Sequence, residues 1–370
     1  MNNRITQVLP SVGKTELEYL SKSIKEKWLT EGPMCQDFLN HILEFTGSKY
    51  AVLAPNGTLG LFLGLLALDL PADSEIIIPD FTFFASSSSA IFAGLTPVFV
   101  DVDNETFNID PDKIEQAITN KTKAIMPVHI YGQSANMERI MNIAEQYNLK
   151  VIEDAAQAYG VFYKDRHCGT FGDVSVISFF ADKTITMGEG AVLLTQNEAI
   201  YNKLKLLRNQ GRENSGTFIH SSVGMNFRLT DLQCGVGLAQ ARKFPQILQK
   251  KSEYYEIYYQ LLKGVGDLTF LKLEKQSSFV PFRFFIRTNY KEALISFLDN
   301  SGIDVREFFF PMSEQPPLKK YNISPDNIIV SKKLYETGLC LPIHDSLTKE
   351  NIKYICDRVK EFFKSERGDV

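Results

Sequence analysis

Lys183 is the residue whose type and position point most directly to chemistry. It follows an apolar run that predicts a strand over 174–180, and a turn containing glycine separates it from a second predicted strand over 191–195. A lysine at the end of a buried strand is costly unless its charge is paired, neutralised or used chemically. A lone lysine in this position is most often an exposed hairpin residue.

Another predicted strand, earlier in the chain, supplies an acidic partner for this lysine. Its residues 151–153 are followed by Asp154 at the carboxyl end, the place where open α/β sheets bind ligands. A lysine that holds an aldehyde as a Schiff base and a carboxylate that keeps a pyridine nitrogen protonated form the pair that pyridoxal phosphate needs. An aspartate after a strand can instead cap a helix, although the small residues within 155–160 would let a flat ring approach.

The segments around both residues resemble the DegT/DnrJ/EryC1/StrS family of sugar aminotransferases, a branch of the fold-type-I pyridoxal phosphate enzymes. The similarity is carried by VIEDAAQAYG over 151–160, SFFADKTITMGEG over 178–190 and GIDVREFFFP over 302–311. Within the family, the segments over 178–190 and 302–311 look most like the GDP-perosamine synthase group. The resemblance covers nearly the whole chain, from residue 28 to the last predicted helix.

This resemblance implies a reaction and its substrates. An amino group would move from L-glutamate to a keto carbon of a nucleotide-activated sugar, such as a 4-keto-6-deoxyhexose, in cell-surface polysaccharide (lipopolysaccharide) biosynthesis. One branch of the family carries histidine at the position of Lys183 and dehydrates its substrate, so lysine favours transamination. The family also works as a homodimer with shared active sites.

Three segments match the family's contacts with the cofactor phosphate. Gly57 and Thr58 follow a short predicted strand and open a predicted helix, whose free N–H groups suit an anion. Ser178 lies five residues before Lys183, as the phosphate-binding serine does in the family. Asn226 matches an asparagine that enters from the neighbouring subunit.

Two further residues match contacts with the cofactor ring. Gln157 corresponds to the residue that reaches the ring hydroxyl or packs on the ring face. Phe83 corresponds to the aromatic residue that stacks on the ring, with Phe81 and Phe84 as nearby competitors. Because the chain has 27 phenylalanines, most of which belong to the core, this assignment depends on the family match alone.

Substrate contacts are less readable from the sequence. His129 ends a predicted strand near the site and can equally be structural. Relatives often have Pro-Leu-His where this chain has Pro-Met-Ser over 311–313, which leaves the identity of the acceptor open. Four polar residues fall in segments that border the sugar-nucleotide pocket in relatives: Glu31, His220, Arg228 and Arg306.

Composition limits the possible classes of protein. With 40 basic and 44 acidic side chains the net charge is −4, and nothing suggests binding to nucleic acid or to an anionic membrane surface. The five cysteines are widely spaced without a CxxC pair, which favours reduced cytoplasmic thiols over disulfides or a metal site. No signal sequence and no membrane span are predicted.

Strand and helix signals alternate along the first two thirds of the chain, which predicts an α/β fold with a mostly parallel, doubly wound sheet. The strand over 191–195 is expected to run antiparallel. The resemblance implies an aspartate aminotransferase-like, seven-stranded-type sheet. We expect a large domain over 1–244, whose first 15 or so residues can pack on the small domain, and a small α+β domain over 245–370 that begins with a helix over 245–262.

Three other functions are compatible with parts of this pattern. The acceptor could be a free keto-sugar acid, because the cofactor half of the site would look the same. The chain could be another fold-type-I enzyme, such as a sugar dehydratase or a cysteine desulfurase using Cys168 or Cys340, although a desulfurase needs its thiol on a mobile loop. A non-catalytic binding protein is disfavoured because both the lysine and the aspartate are present.

Overall fold

The computed structural model describes residues 4–214, 216, 218–321 and 328–366. The helices of this part of the chain are α1 (Lys14–Lys25), α2 (Pro33–Thr46), α3 (Gly57–Ala67), α4 (Phe84–Phe92), α5 (Pro111–Ala117), α6 (Met137–Gln146), α7 (Glu198–Arg208), α8 (Asp231–Leu262), α9 (Lys291–Asn300), α10 (Val330–Thr337) and α11 (Lys349–Glu366). The strands are β1 (Tyr50–Ala54), β2 (Glu75–Pro79), β3 (Thr96–Val100), β4 (Thr122–Ile125), β5 (Lys150–Asp154), β6 (Phe162–Tyr163), β7 (Arg166–His167), β8 (Val174–Ser178), β9 (Ala191–Thr195), β10 (Thr269–Phe270), β11 (Phe284–Arg287), β12 (Arg306–Glu307) and β13 (Gly338–Leu341).

Seven strands form the large sheet in the order β1-β9-β8-β5-β4-β2-β3. Strands β3, β2, β4, β5 and β8 pair in parallel, whereas β9 runs antiparallel to both β8 and β1. The predicted mostly parallel sheet and its antiparallel strand are therefore confirmed. Because β5 and β8 are neighbours and parallel, their carboxyl ends lie side by side at one edge of the sheet.

Helices cover both faces of this sheet, so its strands are apolar on both sides. In β5, Val151 belongs to the cluster on the face packed by α2, α6 and α8, and Ile152 to the cluster on the face packed by α3, α4 and α7. Successive residues of a strand point to opposite faces, which explains this division. In the described part of the chain, no helix is both long and apolar enough to cross a bilayer.

Helix α3 lies unusually close to the sheet and directs its N-terminus at the strand ends. A Cβ atom built on Gly60 would lie 2.8 Å from Val176, and one on Gly64 would lie 3.1 Å from Ile152. Two glycines facing the sheet thus permit the close approach. Asn56 caps the helix by accepting a hydrogen bond from the backbone N–H of Leu59 at 3.0 Å.

The C-terminal part of the chain builds a second sheet, of four antiparallel strands in the order β10-β11-β13-β12. Its core is formed with the second half of α8 and with α9 and α11. Near the N-terminus, Ile5 forms a bridge with Ile303 beside this sheet. The division into two domains between 244 and 245 remains a prediction.

The helix predicted over 245–262 begins earlier, at Asp231, and Pro245 lies inside it. Proline is common in the first turn of a helix, so Pro245 is compatible with a helix start at that position. The side chains and backbones of Thr230 and Gln233 instead form a reciprocal capping box that starts the helix upstream. One continuous helix therefore connects the region of the large sheet with that of the small one.

Candidate active site

A cavity of about 510 Å³ lies where the carboxyl ends of β5 and β8 meet the N-terminus of α3 and the small sheet. Strand β8 ends at Ser178, two residues before the predicted end, which leaves 179–190 as a turn along the cavity. The sequence-predicted residues that line it are Gly57, Thr58, Phe83, Asp154, Gln157, Ser178, Lys183 and Arg306. The structure thus brings eight predicted residues to one place.

Lys183 lies in the turn after β8 with its side chain 16% exposed. Its Nζ is 3.7 Å from Oδ1 of Asp182 and 5.1 Å from the centre of the Phe282 ring. Burial lowers the pKa of the Lys183 amine, and the carboxylates of Asp182 and Asp154 offset part of that effect. A lowered pKa increases the fraction of free amine, which is the form that attacks an aldehyde.

Asp154 is the last residue of β5 and is buried at the base of the cavity. It accepts hydrogen bonds from the hydroxyl of Ser86 at 2.8 Å and from the backbone N–H of Ala156 at 3.1 Å. Residues 155–160 form turns, so Asp154 does not cap a helix. Burial raises the pKa of the Asp154 carboxyl, and a cation bound against it would offset that penalty.

The end of the cavity at the N-terminus of α3 has the features of an anion site. The first residues of α3, Gly57 and Thr58, line it together with Ser178, and the first N–H groups of a helix favour negative charge. A Cβ atom on Gly57 would meet the side chain of Ser178 at 3.2 Å. Glycine therefore keeps this end open between the helix and the strand.

The two predicted ring contacts, Gln157 and Phe83, also line the cavity. Gln157 accepts a hydrogen bond from the backbone N–H of Tyr131 at 2.8 Å, which fixes its amide beside the cavity. Phe83 is 59% exposed and lies 6.2 Å from Phe309, measured between ring centres. Its competitor Phe81 is completely buried in an aromatic cluster. Phe84, the other alternative to Phe83, is the first residue of α4 and packs partly buried against the hydrophobic core.

The residues predicted to contact substrate do not all reach this cavity. Arg306 lines it and donates a hydrogen bond to Oδ2 of Asp182 at 3.0 Å. Glu31 forms an ion pair with Arg208, outside the cavity of its own chain. Met312 and Ser313, in the segment that departs from relatives, are buried and are not among the lining residues.

Asn226 and its neighbours also lie outside the cavity of their own chain. Asn226 is exposed and accepts a hydrogen bond from the backbone N–H of Arg228 at 3.1 Å. The guanidinium of Arg228 donates to Asn209 at 2.9 Å. His220 is exposed and lies 2.7 Å, through Nδ1, from the carbonyl oxygen of Gln210.

The cysteines are not placed as a desulfurase would need them. Cys340 lines the cavity but lies within β13, and burial raises the pKa of its thiol to about 12. Cys168 is fully buried. Because the thiolate is the reactive form, neither position suits a nucleophile on a mobile loop.

Sequence reasoning missed four charged residues of the cavity wall: Asp182, Glu189, Arg283 and Glu307. Asp182 and Arg283 line it and are joined by a hydrogen bond of 2.8 Å, although β11, which follows Arg283, belongs to the small sheet. The only signal for Asp182 was its position next to Lys183. The sequence contained no signal for Arg283, because its contact depends on how the second sheet packs against the first.

The cavity fits pyridoxal phosphate. One wall has a buried carboxylate suited to a cationic ring nitrogen, and Lys183 supplies an amine with a lowered pKa. The N-terminus of α3 lies beside Ser178 in the same cavity, which suits a phosphate. The aromatic side chain of Phe83 also lines this cavity.

Comparisons with known proteins agree with this geometry. The model of the DegT/DnrJ/EryC1/StrS aminotransferase family matches residues 10–360. GDP-perosamine synthase of Escherichia coli O157:H7 is 36% identical over 363 residues, which cover 96% of this chain and 98% of that protein. The putative pyridoxal phosphate-dependent aminotransferase EpsN of Bacillus subtilis (strain 168) is 29% identical, covering 95% and 93% respectively.

A solved structure has the same fold over nearly the whole chain. PseC of Helicobacter pylori, an aminotransferase involved in the biosynthesis of pseudoaminic acid, matches with a TM-score of 0.93 and 27% sequence identity. The match covers 98% of this chain and 100% of that one. The resemblance found in the sequence motifs is therefore confirmed along the chain, and the protein belongs to the DegT/DnrJ/EryC1/StrS aminotransferase family.

Proposed function

We propose that this aminotransferase uses pyridoxal 5′-phosphate to move an amino group from L-glutamate to a keto carbon of a nucleotide-activated sugar, such as a 4-keto-6-deoxyhexose. The observation that carries the proposal is the presence of Lys183, Asp154 and the N-terminus of α3 in one cavity. The similarity of this chain to GDP-perosamine synthase supports a sugar acceptor and a role in cell-surface polysaccharide biosynthesis. The cytoplasmic location remains a prediction.

Different residues of the cavity would hold the cofactor and transfer protons. When bound, pyridoxal phosphate supplies an aldehyde and an electron-withdrawing ring. Asp154 would hold the proton of the ring nitrogen, while Gly57, Thr58 and Ser178 would hold the phosphate. Nζ of Lys183, as a free amine, would remove the proton from the α-carbon of the donor and later deliver one to the acceptor carbon.

We also propose that the active unit is a homodimer. Four predicted contact residues (Glu31, His220, Arg228 and Asn226) do not line the cavity of their own chain. The same stretches of sequence carry apolar side chains that are at least half exposed, namely Trp28, Leu29, Phe218, Ile219, Val223 and Met225. Such a surface is typical of an interface, and a second copy covering it would bring these polar residues toward the partner's cavity.

The colour of the purified protein tests the cofactor and the donor together. We expect a yellow protein that loses its colour with L-glutamate, and borohydride should fix the cofactor on the peptide that contains Lys183. Lys183→Ala should remove both properties, while Lys353→Ala, at an exposed position on α11, should keep them. A colourless wild type, or label on another lysine, would falsify the proposal.

The acceptor requires a separate measurement. Chains loaded with an amino group from glutamate should regain the yellow colour with a nucleotide-linked keto-sugar. A free keto-sugar acid should leave them colourless. Recovery with the acid alone would favour the alternative acceptor without affecting the assignment of the cofactor.

A further inference from the structure

Asp182 occupies an unusual position beside the proposed catalytic lysine. Its Oδ2 accepts hydrogen bonds from Nη2 of Arg283 at 2.8 Å and from Nη1 of Arg306 at 3.0 Å. Its Oδ1 lies 3.7 Å from Nζ of Lys183 and has no hydrogen bond with any residue that the structure describes. One oxygen is therefore held by two arginines, while the other remains available to the lysine.

The two arginines come from a different part of the fold than the lysine. Arg283 directly precedes β11 and Arg306 lies in β12, both in the small sheet, whereas Asp182 belongs to the turn after β8 of the large sheet. The side chain of Arg283 is 4% exposed and that of Arg306 is 53% exposed. The carboxylate of Asp182 thus connects the small sheet to the amine of Lys183.

Other charged groups face Lys183 from the elements packed around it. Asp154 comes from β5 and contributes to the field at the amine, but its carboxylate is already hydrogen-bonded by Ser86. Asp182 is the carboxylate within ion-pair distance of Nζ. The remaining charged or titratable residues that line this cavity, or a small adjoining one that Lys183 also lines, are Tyr131, Glu189, Arg283, Arg306, Glu307, Cys340, Lys251, His344 and Asp345.

We propose that Asp182 is a positioning residue that holds the protonated amine of Lys183 through Oδ1, while Arg283 and Arg306 compete for the same carboxylate and keep the amine available. The inference rests on the proposed function, because it concerns the lysine that would bond the cofactor. An opposite charge at this distance favours the ammonium form of a lysine, and a nearby cation disfavours it. The carboxylate and the arginines therefore act on the amine in opposite directions.

This arrangement can be tested by the pH at which the lysine becomes reactive. The full chain, freed of cofactor, is mixed with pyridoxal 5′-phosphate over a range of pH, and uptake is followed by absorbance. Asp182→Asn should lower the pH of half-maximal rate by about one unit, which is the low end of the effect of a close opposite charge. Arg306→Met should raise it, because one of the two cations that compete for the Asp182 carboxylate is then removed while Arg283 remains.

Matched controls separate this effect from a general change in charge. Asp37→Asn removes an exposed carboxylate on α2, and Arg139→Met removes an exposed guanidinium that pairs with Asp112. Both should leave the midpoint where it is in the wild type. Shifts of Asp182→Asn and Arg306→Met in opposite directions support the inference, because loss of packing alone would not reverse sign between them.

Two outcomes overturn the inference: unchanged midpoints in both variants, or shifts in the same direction. If Asp182→Asn does not fold, as judged by circular dichroism, the test depends on the pH midpoint of Arg306→Met alone, because Arg306 is half-exposed and its replacement should not prevent folding. A raised midpoint in Arg306→Met then supports the inference, and an unchanged one overturns it. A wild type that takes up no cofactor at Lys183 contradicts the proposed function itself, whereas normal uptake with unshifted variants contradicts only the role of Asp182.

Discussion

Burial shifts the pKa values of Lys183 and Asp154 toward their uncharged forms. It lowers the pKa of the lysine amine and raises that of the aspartate carboxyl, because both groups lose water at the base of one cavity. A neutral amine is ready to attack an aldehyde. The carboxylate, in contrast, needs a cationic partner in order to stay ionised, which a protonated ring nitrogen would supply.

Asp154→Asn tests this electrostatic role at the residue scale. The variant should still take up pyridoxal phosphate, because Lys183 and the anion end are unchanged, but its kcat should fall by about 10²-fold or more, as for other lost electrostatic groups. The absorption spectrum measures uptake and steady-state kinetics measure the rate. Asp37→Asn serves as a control at an exposed position. A loss of no more than about twofold, far below that scale, would show that the carboxylate is not needed in the reaction.

Gly57→Ala tests the anion end of the cavity. The added methyl group would lie 3.2 Å from the side chain of Ser178 and fill the gap between α3 and β8. We expect weaker binding of pyridoxal phosphate by about 1–3 kcal/mol, the usual cost of overpacking, with the fold intact. Gly13→Ala, where a Cβ atom meets nothing within 4 Å, is the matched control. Equal affinities in equilibrium dialysis would place the phosphate elsewhere.

At the scale of elements, successive residues of β5 differ in their surroundings: Asp154 lines the cavity, where we propose that it binds the cofactor, whereas Glu153 lies in a buried hydrogen-bond network. Glu153 points away from Asp154 and is fully buried. It accepts hydrogen bonds from Nε2 of His129 at 2.9 Å and from the backbone N–H groups of Gly169, Phe171 and Gly172, each at 2.7 Å. The imidazole carries its hydrogen on Nε2, because its Nδ1 accepts from the backbone N–H of Ala135.

This network fixes the loop between β7 and β8 to the strand that positions Asp154. Glu153→Gln would place an amide N–H₂ against groups that are all donors. We therefore expect a loss of about 1–3 kcal/mol in the free energy of unfolding for each buried donor left unpaired. Urea denaturation at neutral pH measures the loss. Glu145→Gln is the control at an exposed position on α6, and equal stability of wild type and Glu153→Gln would contradict the structural role.

The same network predicts how stability depends on pH. Burial alone would raise the pKa of Glu153, but the hydrogen bonds from His129 and the backbone outweigh it and hold the pKa below 4.5. A carboxyl whose pKa is lower in the folded than in the unfolded state stabilises the fold above the unfolded value. That contribution is lost as the pH falls from about 4.5 through the folded pKa. Glu153→Gln should therefore flatten this part of the acid-stability curve.

At the scale of the whole molecule, the proposed dimer predicts complementation between two inactive chains. Lys183→Ala chains are refolded together with Asn226→Ala chains, so that a mixed dimer has one doubly damaged site and one site with both residues intact. Its activity should exceed that of either parent and approach about half of wild type, by counting sites under two-fold symmetry. Mixed dimers verified by mass that show no recovery would mean that Asn226 works within its own chain or not at all.

Much of the large sheet could be predicted from the sequence. Strand β9 has the predicted bounds because a short apolar run between polar turns leaves little freedom for its ends. Boundaries were less accurate where two local signals competed. Pro245 suggested the start of a helix, whereas the capping box at Thr230 determines it. The strand predicted over 174–180 ends two residues early, at Ser178.

The sequence by itself determined the residue types of the candidate site and the order of the strands that end in them. Lys183, Asp154 and Ser178 stand next to apolar strand signals, so their placement at strand ends follows from local patterns. Only the tertiary structure decided that β5 and β8 are neighbours, that Arg283 and Arg306 reach Asp182 from the second sheet, and that Asn226 lies outside its own cavity. These contacts join residues far apart in the chain, and packing between elements, which no local pattern encodes, determines them.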